Sequence, residues 1–228
     1  MQYVVDPSPI SIVPVARSES LFPVHRIYCV GQNYGDHVRE MGGDPKKGSP
    51  VFFSKPADAV VINNHSVDYP LATNNLHYEV ELVVALASGG TNIGIDDAMS
   101  CVLGYAVGID FTKRDLQAAA KEKGKPWDTA KGFDQSAPIS AISLAEDVAE
   151  IGKTKITLEV NGEVKQHAST EDMIWNVAEI IVELSKYYQL KAGDLIFTGT
   201  PSGVSTVQAG DHMRAAIDGV GELTVELK

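Results

Sequence analysis

The segment His77-Tyr78-Glu79-Val80-Glu81-Leu82-Val83-Val84-Ala85-Leu86 decides how this chain folds. In an extended strand successive side chains point to opposite faces, so Tyr78, Val80, Leu82, Val84 and Leu86 share one face while Glu79 and Glu81 share the other. The first face reads as core and the second carries two carboxylates. Anions on neighbouring same-face positions repel, and inside a site one takes a proton unless a cation holds both. A half-buried strand with both glutamates solvated is the competing reading, and the segment alone does not separate the two. A second apolar run, Gly104-Tyr105-Ala106-Val107-Gly108-Ile109-Asp110, ends on a third carboxylate. Ligation by oxygen alone suits Mg²⁺, Mn²⁺ or Ca²⁺ and does not select zinc, which prefers His or Cys.

Outward from this strand the chain stays rich in strand signals, at 27–30, 51–54, 59–62, 103–110, 156–160, 163–166, 195–198, 212–217 and 223–227. Asn161-Gly162 predicts a type I′ hairpin turn, because both central positions need positive φ, and 219–221 turns the last pair. The expectation is an α+β, β-rich domain whose strands run mostly antiparallel. Helices are fewer. Asp96 is placed to cap a short helix to Val102, and Ser169 with Asp172 resembles a capping box ahead of Met173, Ile174, Val177, Ile180, Ile181 and Leu184 at helical spacing. A third helix is expected over 113–123. If its turn begins at Asp110, then Asp110, Arg114 and Gln117 point the same way.

At 228 residues the chain supports one substantial core, read as an N-terminal extended arm over 1–20 and a catalytic domain over 21–228. Pro7, Pro9 and Pro14 argue against helix in the arm, which also lacks the basic start and apolar stretch of a signal peptide. No apolar run approaches the ~20 residues that cross a bilayer, so no membrane partner is expected. The net charge of −11, with acids and bases interspersed, disfavours a nucleic-acid partner, because phosphate binding needs clustered Lys and Arg. Cys29 and Cys101 each lie in an apolar run and read as buried reduced thiols, in keeping with a cytoplasmic setting.

Three further segments carry groups suited to chemistry. In Gly31-Gln32-Asn33-Tyr34-Gly35-Asp36-His37-Val38-Arg39-Glu40-Met41, His37 and Glu40 are three apart, so on a helix the carboxylate orients the imidazole and raises its basicity. A surface His-Glu pair is the plainer alternative. The glycine-rich, lysine-bearing loop over 42–49 has the composition of a lid. Lys131-Gly132-Phe133 is consistent with an ammonium aimed into a cleft. Thr198-Gly199-Thr200-Pro201-Ser202-Gly203 ends a strand with amides and hydroxyls suited to a carboxylate or phosphate, without the lysine and spacing of a Walker A loop.

As a set these motifs resemble the fumarylacetoacetate hydrolase family, from about Phe22 to the C-terminus: Val30-Gly31-x-Asn33-Tyr34-x-x-His37, Lys55-Pro56, His77-Tyr78-Glu79-x-Glu81-Leu82, Gly108-x-Asp110-x-Thr112-x-Arg114-Asp115-x-Gln117, Lys131-x-Phe133 and Thr198-Gly199-Thr200-Pro201. The stretches over 21–29 and 53–59 look most like the branch that cleaves fumarylpyruvate in gentisate breakdown. Gln32, where many relatives have Arg, and Gly35, where Ala is usual, depart from the pattern.

The resemblance implies a mixed β-roll or β-sandwich with flanking helices, built around a Mg²⁺ site, with Mn²⁺ or Ca²⁺ as alternatives, and usually assembled as a homodimer. It implies Glu79, Glu81 and Asp110 as metal ligands and His37 with Glu40 as the pair that activates water. It further implies Lys131 and Gln117 as catalytic groups and Arg114, Thr200, Tyr34 and Gly199 as substrate contacts. The reaction it implies is metal-dependent hydrolysis of a carbon–carbon bond in a small β-diketo acid, fumarylpyruvate giving fumarate and pyruvate. Arg39, Lys113 and Lys125 are equal candidates for the cation that the distal carboxylate of that substrate calls for. Acylpyruvate hydrolysis or oxaloacetate decarboxylation is the neighbouring alternative, and a catalytically silent metabolite binder on the same fold is the alternative of another class.

Overall fold

The structure is a computed structural model that describes residues 3–45, 48–62 and 64–228. Two sheets dominate it. The larger has six strands in the order Ser143–Leu144, Val102–Ile109, Val80–Leu86, Asp194–Phe197, Arg26–Gly31 and Val51–Lys55. The smaller has four, Glu163–Ser169, Lys155–Val160, His212–Ile217 and Gly221–Glu226. Pairing is antiparallel within both except between Asp194–Phe197 and Arg26–Gly31, which run parallel.

The two sheets differ as their sequences do. His212–Ile217 and Gly221–Glu226 alternate buried and exposed side chains, as a sheet with one wet face requires. Val80–Leu86 is buried at every position. It lies between two cores: Val80, Leu82, Val84 and Leu86 pack toward the four-stranded sheet and the Val177–Tyr187 helix, while Val83 and Ala85 pack with Ile27, Cys29, Leu195 and Phe197 on the opposite side. The sequence pattern had marked one face of this strand as core. Both are core, and the two glutamates occupy the end of the second.

Local signals explain most boundaries. Asn161 and Gly162 have φ of 52° and 81°, the left-handed pair a type I′ turn needs. Two helix starts differ from expectation. The capping box of Ser169 and Asp172 forms, but on a single 3₁₀ turn, Thr170–Asp172. The long helix begins at Asn176, which builds its own box with Glu179 and leaves Met173 and Ile174 outside. Asp96 caps nothing: Gly94 precedes the short Ile95–Ala98 helix, and Met99–Cys101 continues as 3₁₀. Asp110 ends a strand and does not open a helix, and the third helix starts at Arg114 and runs to Glu122. Of the N-terminal arm, Ile12–Pro14 pairs with Leu21–Pro23, and Val13 and Val15 are buried in the second core. Cys29 and Cys101 are free and buried. Among the described residues no helix is long and apolar enough to cross a membrane.

Register sets the site. Val80 pairs with Ile109 and Glu81 with Gly108, so Glu79 stands beside Asp110, whose N–H donates to the Glu79 carbonyl at 2.8 Å. Glu79, Glu81, Gly108 and Asp110 therefore share one face at one end of two adjacent strands. Gly108 matters sterically: a Cβ there would sit 2.5 Å from Phe197 Cε1 and 2.6 Å from Val83 Cγ2. Gly108→Ala should cost about 1–3 kcal/mol through overpacking, read as a lower denaturant midpoint at unchanged m-value.

Candidate functional site

Three chain ends meet at the edge of the six-stranded sheet. The parallel strands Arg26–Gly31 and Asp194–Phe197 finish there, followed by the Gly35–Glu40 helix and the Thr198 to Gly203 turn, and the antiparallel Val80–Leu86 strand begins there. Together with the Arg114–Glu122 and Asp128–Lys131 helices they surround a cleft.

Glu79, Glu81 and Asp110 line that cleft, are buried, and bring one carboxylate oxygen each within 4.8 Å of the others. At an effective dielectric of ~20, two such charges repel by about 3 kcal/mol. Cations answer two of the three. Glu79 receives Arg114 Nη2 at 2.5 Å and Lys131 Nζ at 2.8 Å, and although burial opposes ionisation, these charges hold its pKa well below the ordinary carboxylate range. Asp110 receives Lys131 Nζ at 2.6 Å on Oδ2, and Lys55 Nζ lies 2.7 Å from Oδ1 at an angle that misses a hydrogen bond. Among the described residues Glu81 has no such partner. Its Oε2 accepts the Gly199 N–H at 2.8 Å, and burial together with Asp110 and Glu79 pushes its pKa well above the usual value. A buried, oxygen-only cluster with one uncompensated carboxylate and one oxygen accepting no hydrogen bond fits a divalent cation.

His37 lines the same cleft and is nearly buried, with Nδ1 3.1 Å from Glu40 Oε2, which leaves Nε2 as its free ring nitrogen. Glu40 is held in turn by the Gly203 N–H, 3.1 and 3.2 Å from its two oxygens, and the Gly203 carbonyl accepts from the Tyr78 hydroxyl at 3.0 Å. Gly203 has φ 99° and a Cβ there would lie 2.0 Å from the Lys165 carbonyl, so only glycine fits.

Arg114 and Gln117 share a helix face and are joined by an Nη1–Oε1 hydrogen bond of 2.7 Å, which turns the Gln117 amide nitrogen away from Arg114. Arg114 Nε donates to His77 Nδ1 at 3.3 Å. Burial and the Arg114 charge lower the His77 pKa to about 4, so the ring is neutral and able to accept, with Nε2 3.0 Å from Asn75 Oδ1. Thr200 lines the cleft, and its Oγ1 accepts from Gln166 Nε2 at 2.8 Å, which leaves the hydroxyl proton free to donate.

Two expected substrate contacts are placed otherwise. Gln32, in left-handed backbone at φ 62°, turns the chain so that Tyr34 is buried and lines a separate cavity with Asp36, His167 and Pro201. The Gly199 N–H faces Glu81 and not open space. Lys46 and Lys47 of the expected lid lie outside the described residues. Lys55, Gln166, Lys121 and Trp127 were not assigned roles from sequence; the first two are buried polar groups with fixed partners, and the last two line the cleft. The spacing of Lys121, seven residues after Arg114 and four after Gln117, was the available signal.

The family described as "Fumarylacetoacetate (FAA) hydrolase C-terminal" matches residues 26–228. The chain is 43% identical over 174 residues to a fumarylpyruvate hydrolase of Ralstonia sp, covering 76% of this chain and 90% of that one. It is 42% identical over 202 residues to the mitochondrial oxaloacetate tautomerase FAHD1 of Mus musculus, covering 89% and 91%. The crystal structure of fumarylpyruvate hydrolase from Pseudomonas aeruginosa in complex with Mn²⁺ and pyruvate superposes with a TM-score of 0.97 at 45% identity, covering 99% of both chains. Match, identity and superposition over nearly the whole length agree with the motifs and with the acidic cluster: the chain is an enzyme of the fumarylacetoacetate hydrolase family.

Proposed function

We propose that the protein is a divalent-metal-dependent hydrolase that cleaves fumarylpyruvate to fumarate and pyruvate. The observation that carries this reading is one cleft holding both the three-carboxylate cluster and an imidazole oriented by a carboxylate. Glu79, Glu81 and Asp110 would hold the cation, Mg²⁺ in the first instance. When bound it supplies Lewis acidity toward the 2-oxo acid end of the substrate and positive charge beside the enolate that bond cleavage releases.

The residues of the chain supply the remaining chemistry. His37 Nε2 takes a proton from water while Glu40, held by Gly203, stabilises the imidazolium. The water oxygen bonds to the acyl carbonyl carbon of the fumaryl group. That carbon then breaks its bond to the methylene, whose electron pair becomes the pyruvate enolate. The proton on His37 returns to the enolate carbon and completes pyruvate. The Gln117 amide is the donor for oxyanion charge at the attacked carbon, whereas Lys131, expected from the sequence to share that role, directs its three N–H groups to Glu79, Asp110 and Thr112 and holds two metal ligands in place. Thr200, its hydroxyl oriented by Gln166, is the donor for the pyruvate carboxylate. Arg114, spanning Glu79, Gln117 and His77, keeps a metal ligand and a donor in register.

The oxaloacetate tautomerase relatives favour a second reading, in which the same imidazole moves a proton between carbon and enolate oxygen with no carbon–carbon bond cleaved. The homodimer and the cytoplasmic gentisate pathway belong to the first reading. Exposed Val4, Val5 and Ile10 on the N-terminal arm, with exposed Leu21 beside it, support a second copy as the surface they meet.

With Mg²⁺, fumarylpyruvate should be hydrolysed faster than acetylpyruvate, and oxaloacetate should yield neither pyruvate nor CO₂ at a comparable rate. Keto–enol exchange of oxaloacetate outpacing both would select the tautomerase. His37→Ala should lower kcat by about 10²–10⁴-fold with Mg²⁺ affinity retained; a change confined to KM removes the base assignment. Glu81→Gln relieves a buried, unpaired charge, so in EDTA the variant should unfold at a higher denaturant concentration than wild type, and Mg²⁺ should stabilise wild type but not the variant.

A further inference from the structure

The cations around the cleft are not equivalent. An ammonium has three N–H donors, and those of Lys131 go to Glu79 Oε2 at 2.8 Å, Asp110 Oδ2 at 2.6 Å and Thr112 Oγ1 at 2.6 Å. Lys55 is spent on the Phe111 carbonyl at 3.1 Å, the Lys131 carbonyl and Asp110. Arg114 engages Glu79, Gln117 and His77. Lys121 differs from all three. It follows Arg114 and Gln117 on one helix face, lines the cleft with them, and forms no salt bridge among the described residues. Its ammonium rests 5.0 Å from the ring centroid of Trp127, itself a cleft residue. The residue is exposed on its outer side, and partial burial and the Arg114 charge lower its pKa while Glu79 raises it.

None of the cations considered from sequence is placed this way. Arg39 is bound to Asp36 on the exposed surface. The Lys113 ammonium lies 4.5 Å from the Phe133 ring centroid, outside the cleft lining. Lys125 lines a neighbouring cavity with Val51 and Phe52. Phe53 and Trp127 border both that cavity and the cleft, and they offer flat apolar walls to a planar, unsaturated chain.

We propose that Lys121 is a specificity-determining residue: it binds the second carboxylate of a dianionic 2-oxo acid whose 2-oxo end sits at the Glu79, Glu81 and Asp110 cluster, with Trp127 and Phe53 flanking the chain between. This rests on the reading of the cluster as the 2-oxo acid site, and it narrows the substrate class to acylpyruvates that end in an anion. A neutral-tailed acylpyruvate leaves the Lys121 charge unmatched.

The test compares Mg²⁺-loaded wild type, Lys121→Met and Lys121→Arg by two readouts. One is the ratio of kcat/KM for fumarylpyruvate to that for acetylpyruvate. The other, by calorimetry, is the ratio of affinities for 2-oxoglutarate and 2-oxobutyrate, which carry the same 2-oxo end with and without a second carboxylate. Lys121→Met should lower both ratios about tenfold, the kinetic loss falling on KM, while Lys121→Arg keeps each within about threefold of wild type. Ratios unchanged in Lys121→Met, or lowered equally in Lys121→Arg, overturn the proposal. Failure of the hydrolase reading registers separately, as wild type that does not turn over fumarylpyruvate, and the affinity ratio still decides the role of Lys121.

Discussion

The antiparallel register between Val80–Leu86 and Val102–Ile109 is the constraint on which the site depends. It sets Glu79 beside Asp110 and Glu81 beside Gly108, and so concentrates three buried carboxylates at one end of one sheet face. Bringing such charges out of water costs several kcal/mol each unless partners compensate. The compensating groups come from three other elements: Lys55 from the edge strand, Lys131 from the short Asp128–Lys131 helix and Arg114 from the helix that follows Asp110. Electrostatics thus ties the periphery of the domain to its central pair of strands. Glu81 alone of the three has no cation in direct contact among the described residues, and burial with its two acidic neighbours raises its pKa.

Packing makes that arrangement stiff. The central strand is apolar on both faces, and two separate cores clamp it. The parallel strands Arg26–Gly31 and Asp194–Phe197 end where the acids begin, so the helix and the turn that follow them deliver His37 and Thr200 to one cleft, with Glu40 hydrogen-bonded to His37. The link from the Tyr78 hydroxyl through Gly203 to Glu40 connects the acidic strand to the imidazole by hydrogen bonds alone. A rigid scaffold with polar loops at one edge is how a binding site gains precision without sacrificing access.

The cleft has two kinds of wall. Around the carboxylates nearly every donor is committed to another protein group, which suits a centre whose geometry must not change during a reaction. Toward Trp127 the wall is looser: Lys121 rests on the indole ring and forms no salt bridge among the described residues. Relatives bearing the names of a hydrolase and of a tautomerase match this chain at 43% and 42% identity, as expected where one fold carries sites that differ in their walls.

Much of this was legible without coordinates. Strand periodicity located Glu79 and Glu81 on one face, and the three-residue spacing of His37 and Glu40 predicted their contact, because both depend only on local backbone geometry. The Asn161-Gly162 turn was legible for the same reason. Helix starts at Asn176 and Arg114 were less so, since several capping residues compete locally and tertiary contacts choose among them. The sequence by itself determined which residues are acidic, basic and apolar and which face of each element they occupy. Only the tertiary structure decided which carboxylates meet Lys131 and Arg114, that Lys121 rests on Trp127 beside the cleft, and that Gly203 steadies Glu40 from 163 residues away, because strand register and the meeting of loops at one end of a sheet are set by long-range packing that no local period encodes.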